Sequence, residues 1–310
     1  MQFNWHGVFP AVTTKFTADD QLDSPAFQRH IQAMLDSGCH GIIVLGTLGE
    51  NSVLSPEEKR SAIQSAAAQI KGQVPLLATI AENTTQAACQ LAADAKDLGA
   101  DGLMLLPPML YKSDNRETVA YLSTVAKSTD LPIMLYNNPV AYGIDLTPDI
   151  LAELADCENF VAIKESSDDV RRITDIRNLL GDRYRLFCGV DNLALESLLL
   201  GADGWVAGLV CAFPRETVAI YQAALAGNLT LARELYRWFM PLLHLDVSTK
   251  LVQNIKLAEV KTGLGTEHVR APRLPLAGEE RRRVEEIIDE CLASRPELAK
   301  AAHNDQTVLA

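Results

Sequence analysis

Lys164 closes the run Phe160-Val161-Ala162-Ile163, placing one amine after four mostly apolar residues. A lysine held at the end of a buried strand loses hydration, which lowers its pKa and supplies a neutral nucleophile for Schiff-base chemistry. The same lysine could instead end a strand in solvent, or pair with Glu165 or Asp168. Tyr136 ends a second apolar run, Ile133-Met134-Leu135. Its phenol could shuttle a proton between a carbinolamine and a substrate oxygen, or simply plug the space above the strands. In the segment GTLGE, residues 46–50, Thr47 and Leu48 lie in a glycine-flanked turn whose amides could cradle a carboxylate. Without a ligand it is a turn and nothing more. Gly189, in FCGVD, either makes a tight turn or leaves room for a substrate.

Other chemistry-bearing residues are less organised. Ser166, Ser167, Asp168 and Asp169 read as caps for a following helix rather than as a catalytic carboxylate pair. His244 and Asp246 sit in MPLLHLD, where a satisfied helix-surface histidine is the expectation. The scattered histidines offer no zinc-ligand spacing, so no metal is expected; one would have to be assembled by tertiary folding. The six cysteines, at 39, 89, 157, 188, 211 and 291, form no CxxC pair. They read as free thiols in a reducing compartment, the cytoplasm.

These residues need a scaffold that brings strand ends together. The segments SGCHGIIVLGT, LGADGLMLLPP and LGADGWVAGLV begin at Ser37, Leu98 and Leu200. Each carries a GxxG entry from a polar helical stretch into an apolar strand. The first glycine suits a left-handed helix stop and the second a close approach of backbone. The intervals divide into units of about 25–30 residues, the length of a strand, a helix and two loops. Candidate strands fall at 7–13, 41–45, 75–80, 102–106, 133–136, 160–164, 184–188 and 204–208. They are nearly continuous apolar runs, as strands buried on both faces must be. Helices are expected after Ser55-Pro56, from about Thr84 to Leu98, and after Thr147-Pro148, each with a capping residue at its start.

Eight such units predict a (β/α)8 TIM barrel, with the site at the strand ends. An open dinucleotide-binding sheet is disfavoured, because GTLGEN follows the second strand and lacks the GxGxxG order. The barrel is assigned to residues 1–225, a C-terminal helical extension to 226–294 and a flexible tail to 295–310. The extension contains helical stretches at 231–243, 250–261 and 279–292. With 40 acidic against 28 basic residues, the formal charge of −12 argues against nucleic acid as a partner. No apolar run approaches the roughly 20 residues of a membrane helix, so no membrane partner is expected either.

GTLGENSVLS, LYNNP and IKESS, in this order and followed by FCGVD, resemble segments of the dihydrodipicolinate synthase / N-acetylneuraminate lyase superfamily. The resemblance spans residues 5–292. It implies a Schiff base on Lys164, a proton-relay phenol on Tyr136, carboxylate binding at Thr47 and the Leu48 amide, and no cofactor. It also implies a homotetramer built from two close dimers. Leu48 stands where the family often has a second hydroxyl. Leu110, with Tyr111 beside it, stands where a tyrosine would cross from a neighbouring subunit. Ala141, followed by Tyr142, stands where the lysine-biosynthetic enzyme has an arginine. On these departures the site reads as too apolar for dihydrodipicolinate synthesis, and sialic acid cleavage would need more polar loops.

The longer stretches IKESSDDVRRITDIRNLLGDRYRLFCGVDNLALESLLLGADGW and LYRWFMPLLHLDVSTKLVQNIKLAE resemble a narrower branch, the Δ1-pyrroline-4-hydroxy-2-carboxylate deaminases of hydroxyproline catabolism. That resemblance implies a cyclic imine carboxylate as substrate. Lys164 would open the ring by transimination, and loss of the 4-hydroxyl followed by hydrolysis would give 2,5-dioxopentanoate and ammonia. The alternatives are a 2-keto-3-deoxy sugar-acid aldolase or dehydratase, or a noncatalytic barrel that binds a 2-oxo acid.

Overall fold

The computed structural model describes residues 5–298. Its eight strands are β1 (Gly7–Pro10), β2 (Ile42–Val44), β3 (Leu76–Ile80), β4 (Gly102–Leu105), β5 (Ile133–Asn137), β6 (Phe160–Glu165), β7 (Arg185–Cys188) and β8 (Gly204–Ala207). All neighbours pair in parallel, in the order β1-β8-β7-β6-β5-β4-β3-β2. The remaining seam, between β1 and β2, is joined by the bridge Ala11↔Ile43 and by the Val12 amide donating to the Ile43 carbonyl at 3.0 Å. Helices follow the strands and three more follow the last unit, giving a (β/α)8 barrel with a helical extension.

The glycine repeat has the two functions its spacing predicts. Gly38, Gly99 and Gly201 have φ of +82°, +93° and +98°, the left-handed region that ends each preceding helix without a Cβ penalty. Gly41, Gly102 and Gly204 open strands against aromatic rings. A Cβ at these positions would lie 2.2 Å from Phe9, 2.5 Å from Trp5 and 2.3 Å from Phe187. The ring packing at the bottom of the barrel therefore excludes any side chain there.

Helix starts also follow their local sequence. Ser55 caps the helix Pro56–Ile70 in a reciprocal box, with Glu58 N donating to Ser55 Oγ and Ser55 N to Glu58 Oε2. Thr84 and Thr147 cap the helices Thr85–Asp97 and Pro148–Glu153. The cluster after Lys164 behaves differently from expectation. The helix Arg171–Leu180 has Val170 at its cap position, and of the four residues Asp169 alone bonds its start, Oδ1 accepting from the Arg171 amide at 3.1 Å, while Ser166 and Asp168 line a cavity. Strand β1 ends at Pro10, short of the predicted run, and beyond it Thr13 Oγ1 donates to Glu259 Oε1 at 2.6 Å.

The extension helices are Leu229–Asp246, Leu251–Thr262 and Gly278–Ala293. Asp246, the last residue of the first helix, reaches the mouth of the barrel. Arg295, at the start of the expected tail, is tied to Glu216 at 2.7 Å; residues 299–310 of that tail lie outside the described residues. All six cysteines are free. Among the described residues no helix is long and apolar enough to cross a membrane.

Candidate active site

Parallel pairing of β5 and β6 sets Tyr136 directly beside Lys164. The Lys164 ammonium position lies 3.9 Å from the centroid of the Tyr136 ring. Burial lowers the Lys164 pKa, opposed by the nearby Tyr142, Asp246, Asp191 and Cys188. That direction favours the neutral amine. Burial raises Tyr136, opposed by the hydrogen bond from Asn138, whose Nδ2 donates to the phenol oxygen at 3.1 Å. A phenol held protonated beside a neutral amine can donate and recover a proton.

A second phenol extends this arrangement. Tyr142 packs its ring edge-on to Tyr136 with centroids 5.8 Å apart, and its hydroxyl bonds Thr47 Oγ1 at 3.0 Å. Burial pushes the Tyr142 hydroxyl up to about 12. Lys164, Tyr136, Tyr142 and Thr47 therefore line one cavity of about 350 Å³, together with Leu48, Gly189 and Ala141. Volumes of this order accommodate small organic ligands. Gly189 makes room for the lysine itself, since a Cβ there would lie 2.5 Å from Lys164 Cε and 2.1 Å from Ser166 Oγ. Leu110 and Tyr111 are not among the cavity's residues. Leu110 is 87% exposed, and the Tyr111 hydroxyl donates to Glu117.

The GTLGE turn is fixed from beneath by a buried charge. Glu50 has φ of +52° and a fully buried side chain. Its Oε1 accepts from Lys256 Nζ at 2.6 Å and its Oε2 from the Arg270 amide at 3.1 Å. Among the described residues, the amides of Thr47 and Leu48 have no hydrogen-bond partner, leaving two donors beside the Thr47 hydroxyl. Lys256→Met would strand the Glu50 carboxylate in the interior. We expect it to lower unfolding free energy by about 3 kcal/mol, read from urea midpoints, with partial recovery when Glu50→Gln is added.

Tertiary folding does assemble one cluster with metal-ligand atoms: His30, Cys211 and Glu259 come within 4.8 Å of one another. Lys15 Nζ sits on Glu259 and already supplies a positive charge. Burial and then Lys15 hold His30 neutral, with its pKa down to about 4. This is a network of buried charges that fastens the extension to the barrel seam.

A dihydrodipicolinate synthetase family profile matches residues 4–291. The chain belongs to that family. A 4-hydroxy-tetrahydrodipicolinate synthase of Methanothrix thermoacetophila is 33% identical over 285 residues, covering 92% of this chain and 96% of the relative. The solved dihydrodipicolinate synthase of Aquifex aeolicus superposes with a TM-score of 0.88 at 31% identity, covering 92% and 98%. That of Acinetobacter baumannii, solved with pyruvate, gives 0.87 at 28%, again covering 92% and 98%. Membership makes the chain a Schiff-base-forming enzyme of the class I aldolase superfamily, whose chemistry runs on the lysine without an external cofactor.

Two sequence-based expectations are corrected by these relatives. The deaminase branch is overturned, because relatives spanning nearly the whole chain carry the synthase name. With it go the hydroxyproline-degradation role and the conversion of a hydroxylated pyrroline to 2,5-dioxopentanoate and ammonia. The stretches that pointed there run through β6, β7, β8 and the extension helices, whose many buried residues report barrel packing rather than a leaving group. Nor is the site too apolar for synthase-type chemistry: Tyr142, Ser166 and Asp246 all line the cavity. Sequence reasoning named Asp246 only as a weak candidate beside His244, without placing it in the cavity, and passed over Val206, Ala207 and Gly208 at the end of β8. An acid closing the mostly apolar segment MPLLHLD was the available signal.

Proposed function

We propose that the chain joins or cleaves a carbon–carbon bond through an imine between Lys164 and pyruvate or a closely related 2-oxo acid. The observation carrying this reading is the buried lysine paired in register with Tyr136 inside a cavity of suitable size. Neutral Lys164 attacks the 2-oxo carbon while Thr47 Oγ1 and the Thr47 and Leu48 amides hold the carboxylate. Tyr136 carries protons to and from the carbinolamine oxygen, and Tyr142 bridges it to Thr47. Loss of a C3 proton from the iminium gives an enamine, the carbon nucleophile. It adds to an aldehyde, and hydrolysis frees the lysine.

The name of the synthase relatives makes aspartate semialdehyde the first acceptor to test. One observation favours a second acceptor class. Lys164 is the sole basic side chain lining the cavity among the described residues, and Ala141 occupies the place of the expected arginine. A carboxylated aldehyde would find no fixed cation at its far end, whereas a neutral hydroxylated aldehyde needs none. The protein would then act as a 2-keto-3-deoxy acid aldolase.

Borohydride reduction in the presence of pyruvate should add one reduced pyruvate to Lys164, located by peptide mass spectrometry. A wild-type protein that gains no adduct would be a binding barrel at most. Aspartate semialdehyde and glyceraldehyde, compared as acceptors by kcat/KM, then decide the second substrate. The homotetramer and cytoplasmic location remain parts of this proposal, supported by the family resemblance and the six free thiols. Sedimentation would test the former.

A further inference from the structure

Asp246 enters the cavity from outside the barrel, on the final residue of the helix Leu229–Asp246. Its Oδ1 is buried and has no hydrogen-bond partner. It lies where a Cβ on Gly208 would be, 2.2 Å from that position, and the same position is 3.0 Å from Leu48 Cδ1. The carboxyl group thus converges with Leu48, the residue that fills the place of a hydroxyl. An unbonded buried carboxyl oxygen facing a ligand cavity calls for a chemical partner.

Asp191 provides the contrast. Its carboxylate accepts from Trp205 Nε1 at 2.8 Å, from the Leu209 amide at 2.8 Å and from the Gly208 amide at 3.2 Å. Burial raises its pKa, but those donors work against the rise. Burial and the neighbouring Asp191 push Asp246 well above the usual carboxylate range, opposed by Lys164. Two carboxyls in one site with such unequal hydrogen bonding divide into a fixed anion and a proton carrier.

Resting on the imine chemistry above, we propose that Asp246 is a catalytic acid and base that substitutes for the hydroxyl missing at Leu48. The cycle starts from neutral Lys164, the form its burial favours, and protonated Asp246, the form favoured by burial beside Asp191. Formation of the iminium requires one proton so that the carbinolamine oxygen leaves as water; the Tyr136 phenol delivers it and is reprotonated by Asp246, or by solvent where Asp246 is replaced, leaving a carboxylate beside the new cation. That carboxylate then takes the C3 proton. The C3–H electron pair becomes the C2–C3 double bond, and the imine π pair returns to nitrogen. When the enamine carbon attacks the aldehyde, the C3–C bond forms, the carbonyl π pair moves to oxygen, and that oxygen takes the proton from Asp246. Water hydrolyses the final iminium and restores the starting protonation. Each gain or loss of charge at the nitrogen is matched by the opposite change at Asp246, so the Lys164–Asp246 pair carries no net charge at any step.

The test separates adduct formation from proton transfer. In D2O, exchange of the pyruvate methyl protons follows enamine formation and needs no aldehyde. Asp246→Asn should still give the borohydride-trapped adduct, with exchange reduced about 100-fold. Asp246→Ala should regain exchange when formate is added, because formate can occupy the vacated carboxyl position. Exchange in Asp246→Asn within about threefold of wild type, with the adduct intact, would overturn the proposal. So would loss of the adduct itself, which would make Asp246 a support for Lys164 rather than a proton carrier. If wild-type protein forms no pyruvate adduct, the imine reading fails first and this role falls with it.

Discussion

Lys164→Met is expected to abolish the borohydride-trapped adduct and to lower turnover by on the order of 10⁵-fold. No other amine lines the cavity among the described residues, so no neighbour can take over the nucleophilic step. Methionine keeps most of the length and the apolar character of the lysine stem but removes a group whose charged form is disfavoured by burial. The variant should therefore unfold at the same denaturant concentration as wild type or a higher one. Loss of turnover together with retained stability identifies chemistry. A variant that kept turnover would end the imine mechanism outright.

The same lysine determines a pH dependence with a definite sign. Imine formation needs the neutral amine, so the trapping rate rises with pH until Lys164 is fully deprotonated. Burial lowers that pKa, and the plateau should therefore be reached below the ordinary lysine value of about 10.4. A rate still climbing at that pH would mean that solvation of Lys164 is undiminished. Tyr142, Asp246, Asp191 and Cys188 oppose the shift, which places the acid limb above where burial alone would put it.

Local rules made most of this arrangement readable. The paired glycines of the repeat could be assigned because one job is a backbone angle and the other is a close contact, both tied to a single residue type. Lys164 and Tyr136 could be placed at the barrel mouth because each ends an apolar strand of the barrel, although position alone left their roles open. Asp246 could not, since its position depends on how the extension helix packs against the helix Pro214–Leu225 and the turn Asp191–Leu193, a long-range result with no local periodicity. Likewise, the bond between Tyr142 and Thr47 joins the end of the short helix Pro139–Tyr142 to the GTLGE turn, whose approach no spacing encodes. The branch of the family misled for a related reason. Helical and strand residues that fill the core dominate any long matching stretch, whereas reaction type rests on a handful of side chains in one cavity.

Tyr136→Phe distinguishes a proton relay from a plug. Phenylalanine preserves the ring that Tyr142 meets edge-on and over which Lys164 Nζ lies, so packing and the electrostatic environment of the amine change little. What disappears is the hydroxyl, and with it the acceptor for Asn138 Nδ2. The stability cost should be about 1 kcal/mol, the ordinary value of one lost hydrogen bond. A relay role instead predicts a fall in kcat of about 10³-fold with KM nearly unchanged, because the lost interaction acts on proton transfer and not on carboxylate binding. Pyruvate should still be trapped on Lys164, more slowly. If kcat stays within about threefold of wild type, the ring alone suffices, and the proton must reach the carbinolamine by way of Tyr142 or Asp246.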